Sequence, residues 1–521
     1  MTAKGAVAAG HERTVRAAEI ILQDGGNAFD AALGALCAAT VAEPVLCSLG
    51  GGGFLLAQPA DGEAVLYDFF CQTPRRRDAG RAVDFFPILA DFGPATQEFH
   101  IGMASIATPG TVRGIFAVHA ELGHMPLRQI VAPAAAFARE GQAVSAFEAY
   151  LFTILRPILT SNDGTRRIYC RSPADPTLLT AEEIQRVPEM ADCLEALVDE
   201  GADLFYRGEM GRRLIDDCAE RGGYLAADDL AGYRVERRRP LRLSYHGAEV
   251  LGNPPPSSGG LLIAFALSLL ADRAADGLAP GGADHLALLA RVMALTNKAR
   301  MEDGLHDHGV HAAAPDALFD PALMAAYRAE VAGLAAKLGG TTHVNVVDGA
   351  GNTASLSLSN GEGAGYVLPG TGMMLNNMLG EEDLNPDGFH VWPEDTRISS
   401  MMAPTMLRRA DGSVVSLGSG GSNRIRTAIL QVLLNLVDFG ADLRDAVVRP
   451  RIHFENGLLS VEDLFGQAAI DALARDYPDI ERWPERNMFF GGVHAVQHDP
   501  ARGRFDAAGD PRRHGAAKVI G

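Results

Sequence analysis

The chain has 521 residues, 47% of them hydrophobic and 21% charged, enough to bury a large core in one layered body or in several domains. Its 65 acidic and 46 basic residues leave a formal charge of −19, which repels phosphate backbones and anionic membrane surfaces, so neither nucleic acid nor membrane is expected as a partner. The apolar runs Ala31 to Ala42 and Leu261 to Ala271 are too short to cross a bilayer and read as buried helices.

The amino terminus, MTAKGAVAAGHERTVRAAEII, has a helix-like charged pattern by residue 12 and no apolar signal core, from which a cytoplasmic location is expected. Thr14 to Gln23 reads as a helix closed by Gly25-Gly26, and Asn27 to Val41 as a second, alanine-rich one. Gly50 to Gly53 should break the chain before the strand FLLAQ, and residues 165–245 mix helix with polar loop. Arg242 to Leu251 reads as one strand entering the rigid turn NPPPSSGG. A long helix is expected from His285 to Arg300, then a polar loop with histidines, then a helix reaching Lys337. After Gly340 the pattern alternates: HVNVVD and TASLSLS are strands joined by DGAGN, and SVVSLGS is a later strand. No repeat or long linker divides the chain, so one integrated body of helix and strand is expected, with its sharp seam at Gly339-Gly340. Six cysteines without a CxxC indicate neither a disulfide framework nor a cysteine zinc site.

The stretch GGTTHVNVVDGAGN delivers Thr341 from two glycines directly into a strand. A threonine hydroxyl is a poor nucleophile without a base, and a chain cut before Thr341 supplies one in its own α-amine, ordinarily with a pKa near 8. A neighbouring glycine can take the strained backbone such a cut needs. Alone, the stretch reads simply as a loop entering a sheet. The segment LGSGGSNRIRTAIL adds a strand that ends in Gly418-Ser419-Gly420-Gly421-Ser422 before a helix, a turn whose free N–H groups suit an oxyanion or another anion. It also fits a plain strand-to-helix turn. No GK[ST] follows a glycine cluster and no GxSxG occurs, which disfavours a phosphate loop and a nucleophile-elbow hydrolase.

Seven motifs, LGGGGFLL, ATPGTVRG, PPPSSGG, TTHVNVVDGAGN, PGTGMMLNN, SMMAPT and GSGGSNRI, occur in an order that resembles the γ-glutamyltranspeptidase family of N-terminal-nucleophile hydrolases. The resemblance covers roughly residues 5 to 460 and implies an α+β fold, a four-layer αββα sandwich. It further implies a proenzyme that cuts itself between Gly340 and Thr341 into a large part, 1–340, and a small part, 341–521, which stay together. Thr341 would be the nucleophile, Ser359 the helper hydroxyl on the neighbouring strand, and the N–H groups of Gly421 and Ser422 the oxyanion donors, with serine replacing the family's second glycine. No cofactor or metal is implied.

The departures concern the substrate pocket. Phe70 stands where the family holds a carboxylate with arginine, Gly361 where it has asparagine, Met378 where a polar residue follows the paired asparagines, and Met401 at the second of two serines. Glu381 and Ser400 remain of that polar set. An aromatic ring cannot make the bidentate pair that guanidinium gives a carboxylate, so an altered acyl specificity is expected. Arg75, Arg76 or Arg77 could supply a charge from another position, although a solvated basic run is the simpler account of them. His306, His308 and His311 with Asp303 and Asp307 have metal-like composition without an established spacing, and His100 fits either a pocket neighbour or a structural histidine.

The expected activity is therefore a self-processing amidohydrolase acting on a small γ-glutamyl or related amide through an acyl-threonine. A glutathione hydrolase or γ-glutamyltransferase with a rebuilt carboxylate grip is the enzymatic alternative, and an uncut binding relative the non-enzymatic one. The sequence leaves a higher oligomer open.

Overall fold

The computed structural model describes residues 3–77, 80, 82–91, 96–271, 278–302, 340–385, 387–455 and 457–521. The histidine and aspartate cluster of residues 303–311, the helix expected to reach Lys337, and Gly339 lie outside the described residues.

Two helices follow the first strand, β1 (Gly5–Ala9): α1 (Glu12–Gln23) and α2 (Ala28–Ala42). Each begins at a side chain that accepts an otherwise orphaned N–H: His11 from Arg13, and Asn27 from Phe29 and Asp30, with the Asp30 carboxylate returning to the Asn27 N–H. The alanine-rich α2 is buried along its whole length, which is why its sequence shows no polar face. Next come β2 (Gly52–Gln58), β3 (Val65–Phe69), α3 (Thr111–Leu122), β4 (Glu236–Arg238), β5 (Leu241–Tyr245), β6 (Ala248–Gly252), α4 (Ser258–Leu270) and α5 (Ala283–Glu302). The segment after Gly340 supplies β7 (Thr342–Asp348), β8 (Thr353–Ser359), β9 (Thr405–Arg408), β10 (Val414–Gly420), α6 (Arg424–Val437), β11 (Gly492–Asp499), β12 (Arg504–Ala508) and β13 (Ala516–Ile520).

These strands form a seven-stranded sheet in the order β13-β1-β7-β8-β2-β3-β4 and a six-stranded sheet in the order β12-β11-β10-β9-β6-β5, with all neighbours antiparallel. The sheets face each other through β7 and β8 against β10 and β11; α1, α2 and α3 cover the first sheet, and α4 and α6 the second. The result is an αββα sandwich. Both sheets combine strands from before and after Gly340, so the seam at Gly340 divides the sequence but not the fold.

Strand alternation sets what lies in each layer. Val344 and Val346 of β7 join the apolar core under the helices, whereas His343 and Asn345 point to the second sheet. There Asn345 accepts from Ser355 at 3.0 Å and Ser416 at 2.6 Å, and His343 pairs with Ser357 at 2.8 Å, so the polar atoms between the sheets are partnered. All six cysteines are buried free thiols. Among the described residues, no helix is long and apolar enough to cross a membrane and no group of three or more His, Cys, Asp or Glu has metal-binding geometry.

Two local expectations are corrected. Arg242 to Leu251 is a hairpin, β5 and β6, turning at His246 and Gly247 with φ of 43° and 80°; histidine in a left-handed position concealed the turn. Gly52 and Gly53 do not break the chain but lie within β2, where a Cβ on Gly53 would stand 2.3 Å from the Ser357 carbonyl oxygen of β8.

Candidate active site

Thr341 directly precedes β7, and the pairing of Thr342 with Leu358, continued by one residue, sets it opposite Ser359 at the end of β8. Both hydroxyls donate to the same acceptor, the Gly340 carbonyl oxygen, Thr341 Oγ1 at 2.6 Å and Ser359 Oγ at 2.9 Å. Ser359 Oγ accepts in turn from the Gly361 N–H at 3.1 Å. The other side of the strand is anchored too: Thr342 Oγ1 donates to Glu43 at 2.6 Å, and Glu43 also accepts from Thr14 at 2.9 Å.

The end of β10 closes over Thr341. A Cβ on Gly420 would fall 2.0 Å from the Thr341 carbonyl oxygen, so only glycine permits this approach. Gly421 follows with φ of 122° and Ser422 with φ of 49°, a left-handed position in which serine is uncommon. Among the described residues neither amide N–H has an acceptor, leaving two donors at the turn before α6. Ser422 Oγ donates to Asp383 at 2.8 Å.

A cavity beside Thr341 is lined by Gly340, Ser359 and Ser422, and by five of the six residues expected to touch substrate: Phe70, Met378, Glu381, Ser400 and Met401. Phe70 is buried and stacked on Phe54 at a ring separation of 5.4 Å. The sixth, Gly361, lies behind the wall with φ of 61°; a Cβ there would meet Glu381 Oε1 at 2.0 Å and Asn377 Oδ1 at 2.1 Å. Glu381 and Asn377 thus fill the space that a side chain at 361 would need. Glu381 Oε1 is buried and has no hydrogen-bond partner among the described residues. Burial, with Glu362 and Asp383 nearby, holds its carboxyl well above the usual carboxylate range.

Sequence reasoning did not single out four further groups. Arg300, at the end of the expected helix, lines the cavity and pairs with Glu455 at 3.4 Å and Asn423 at 3.2 Å. Asp383 lines it too, its carboxyl raised by burial. Glu362 accepts the Gly340 N–H, and burial raises its carboxyl to about 7. Arg513, which nothing in PRRHG marks as a pocket residue, donates to the Thr341 carbonyl at 3.4 Å. By contrast the arginine run faces away: Arg75 pairs with Asp395 at 3.5 Å and Arg77 lies 5.6 Å from the Trp392 ring, neither lining the cavity. The His100 ring stacks on Phe85 at 4.5 Å and lies 4.3 Å from Phe389, outside the cavity wall.

Comparison with known proteins adds to this geometry. The gamma-glutamyltranspeptidase family model matches residues 14–520. An acylase ACY 1 proenzyme from Pseudomonas sp. (strain SE83) is 31% identical over 95% of this chain and 90% of its own. A glutathione hydrolase proenzyme from Escherichia coli (strain K12) is 29% identical over 84% of this chain and 78% of its own. Among solved structures, cephalosporin acylase from Bacillus halodurans superposes with a TM-score of 0.84 at 24% identity, covering 100% of this chain and 96% of that one. The expected four-layer αββα sandwich of the N-terminal-nucleophile hydrolases is the fold observed. The chain belongs to the gamma-glutamyltranspeptidase family.

Proposed function

We propose that this protein is a self-processing amidohydrolase that cuts itself between Gly340 and Thr341 and then hydrolyses a small acyl amide at Thr341, with a preference for acyl groups lacking a free amino-acid head. The observation that carries the reading is the convergence of the Thr341 and Ser359 hydroxyls on the Gly340 carbonyl, at the wall of one cavity. After the cut, the Thr341 amine takes the proton of Oγ1 as the oxygen adds to the substrate carbonyl carbon. The Gly421 and Ser422 N–H groups receive the developing oxyanion. The leaving amine departs with that proton, and water releases the acyl group from Oγ1.

The preference rests on the wall. Phe70, Met378 and Met401 are apolar and offer a substrate carboxylate neither a charge nor a hydrogen bond. Relatives are named both as acylase and as glutathione hydrolase proenzymes, names that support self-processing and leave the acyl group to the pocket. A second reading, glutathione or another γ-glutamyl compound as substrate, is favoured by one observation: Arg300 brings a guanidinium to the cavity from α5, although Glu455 is already its partner.

Intact mass spectrometry over hours of incubation, with Thr341→Ala as control, tests the processing step. Two fragments meeting at Gly340 and Thr341 are expected from the wild type and none from the variant. Processed protein is then offered glutathione beside simple aliphatic and aromatic acyl amides. Faster release from the acyl amides supports the stated preference, whereas faster release from glutathione moves the assignment to the second reading. A wild-type chain that stays whole overturns the mechanism.

A further inference from the structure

The acid that meets Gly340, the residue whose carbonyl the two hydroxyls share, is Glu362. It follows Ser359 by three residues in the segment SNGEG and is 6% exposed. Its carboxylate accepts the Gly340 N–H, and its two oxygens stand 3.1 and 3.3 Å from where a Gly340 Cβ would be. Gly340 is therefore held on both sides of its Cα. Thr341 and Ser359 grip its carbonyl oxygen, and Glu362 grips its N–H.

Glu362 is itself fixed. Its own N–H donates at 2.8 Å to Asn377 Oδ1, which also accepts from Gly363 at 3.2 Å. The charged groups that face it are the Arg513 guanidinium, which also reaches the Thr341 carbonyl, and the Glu381 carboxyl beyond Gly361. The resemblance to the family marks Ser359 and the residue two positions on, and leaves Glu362 without a role.

We propose that Glu362 is a positioning residue for self-cleavage, holding Gly340 by its N–H so that the Gly340 carbonyl stays beneath the Thr341 hydroxyl. This rests on the self-processing reading above. In the step it serves, Thr341 Oγ1 adds to the Gly340 carbonyl carbon and the bond from that carbon to the Thr341 nitrogen breaks. The hydroxyl proton ends on the freed nitrogen. Water then cleaves the ester, giving the Gly340 carboxylate, the Thr341 hydroxyl and a proton to solvent. Glu362 contributes no atom to this balance; by fixing the Gly340 nitrogen it limits how far the residue that carries the carbonyl can move from the nucleophile. An ionised carboxylate accepts an N–H more strongly than a neutral acid. Burial raises this carboxyl to about 7, against the Gly340 N–H and Arg513, which favour its ionised form. Cleavage should accordingly slow as pH falls through about 7.

The test follows fragment appearance by intact mass from pH 6 to 8 in the full chain, for wild type, Glu362→Ala, Glu362→Gln and Thr341→Ala, with thermal melting of each. Removing the charged acceptor should slow cleavage about 10- to 100-fold in Glu362→Ala. Glu362→Gln keeps an acceptor oxygen, so at pH 8 it should cleave within about tenfold of wild type, and its rate should be flat across pH 7. Glu362→Ala keeping pace with wild type overturns the proposal, as does Glu362→Gln retaining the wild-type pH step. Should Glu362→Ala fail to fold, the glutamine profile alone decides. A wild-type chain that never cuts overturns this proposal and the self-processing reading together; wild-type fragments with an unaffected alanine variant overturn this one alone.

Discussion

Thr341 and Ser359, on adjacent antiparallel strands, donate to one carbonyl oxygen, that of Gly340, at 2.6 and 2.9 Å. In the proposed cut the roles differ, because only Thr341 is covalently joined to the bond that breaks. Ser359 can act only through the hydrogen bonds it makes. Ser359→Ala should therefore slow fragment formation about 10- to 100-fold without abolishing it, the effect of one neutral hydrogen bond plus a Gly361 N–H left without its acceptor. Ser359→Thr should restore most of the rate. Complete loss in Ser359→Ala with an unchanged melting temperature would instead make Ser359 a proton carrier in the step. Thr341→Ser should still cut, because it keeps the hydroxyl.

Gly420 is the contact on which the approach of the two sheets depends here. A methyl placed 2.0 Å from the Thr341 carbonyl must push β10 away from β7 or move Thr341 itself. Overpacking of this kind destabilises by about 1–3 kcal/mol, so Gly420→Ala should melt lower and cut slowly. Because the displaced strand also carries the turn of Gly421 and Ser422, turnover of added amide should fall with it. A Gly420→Ala protein that melts and processes like wild type would show that β10 gives way more easily than its neighbours suggest.

The hairpin that follows Thr341 was legible in the sequence for a physical reason: hairpins announce themselves through alternation and turn residues within a few positions, and DGAGN supplied both. Most of the expected pocket residues came from motif order, and the structure gathers Phe70, Met378, Glu381, Ser400 and Met401 around Thr341. Arg513 and Arg300 were invisible because their place depends on long-range packing. One comes from the end of the chain and one from α5, and local pattern carries no trace of what they meet. The HG turn between β5 and β6 was missed because histidine seldom adopts a positive φ. Glu362 had a usable signal, an acid between two glycines three residues after Ser359, but burial gives it a chemical meaning that spacing cannot.

Gly361 and Glu381 are coupled by volume. The family's asparagine at 361 would tolerate a φ of 61°, since short amides accept that backbone, but its Cβ would collide with Glu381 Oε1 and Asn377 Oδ1. Gly361→Asn alone should lower stability by about 1–3 kcal/mol and activity with it. Adding Glu381→Ala, which vacates one of the two contacts, should recover about 1 kcal/mol or more of that loss, a coupling that thermal or denaturant unfolding of the four proteins measures directly. Additive effects would mean that Asn377, not Glu381, sets the limit. The recovered double variant is also the more informative protein for the glutathione comparison, because it rebuilds one polar group of the family's pocket while removing another.

Glu43 gives a pH dependence of stability whose sign is fixed by burial. Its carboxyl is raised from 4.5 to about 7, because burial outweighs the hydrogen bonds from Thr342 and Thr14. Below about pH 4.5 folded and unfolded chains both hold the proton, so Glu43 is neutral in its effect. Between 4.5 and about 7 the unfolded chain loses a proton that the folded chain keeps, and stability falls as pH rises. Above that window the penalty is complete, at most about 3 kcal/mol. Glu43→Gln keeps the shape and can still meet both hydroxyls, one of which turns to accept from the amide, but it cannot ionise. In a Thr341→Ala background, where the chain stays whole, Glu43→Gln should unfold at higher denaturant than its parent at pH 8 and show little gain at pH 4.5. An equal shift at both pH values would mean that the hydrogen bonds to Thr14 and Thr342, rather than the proton, determine what Glu43 contributes.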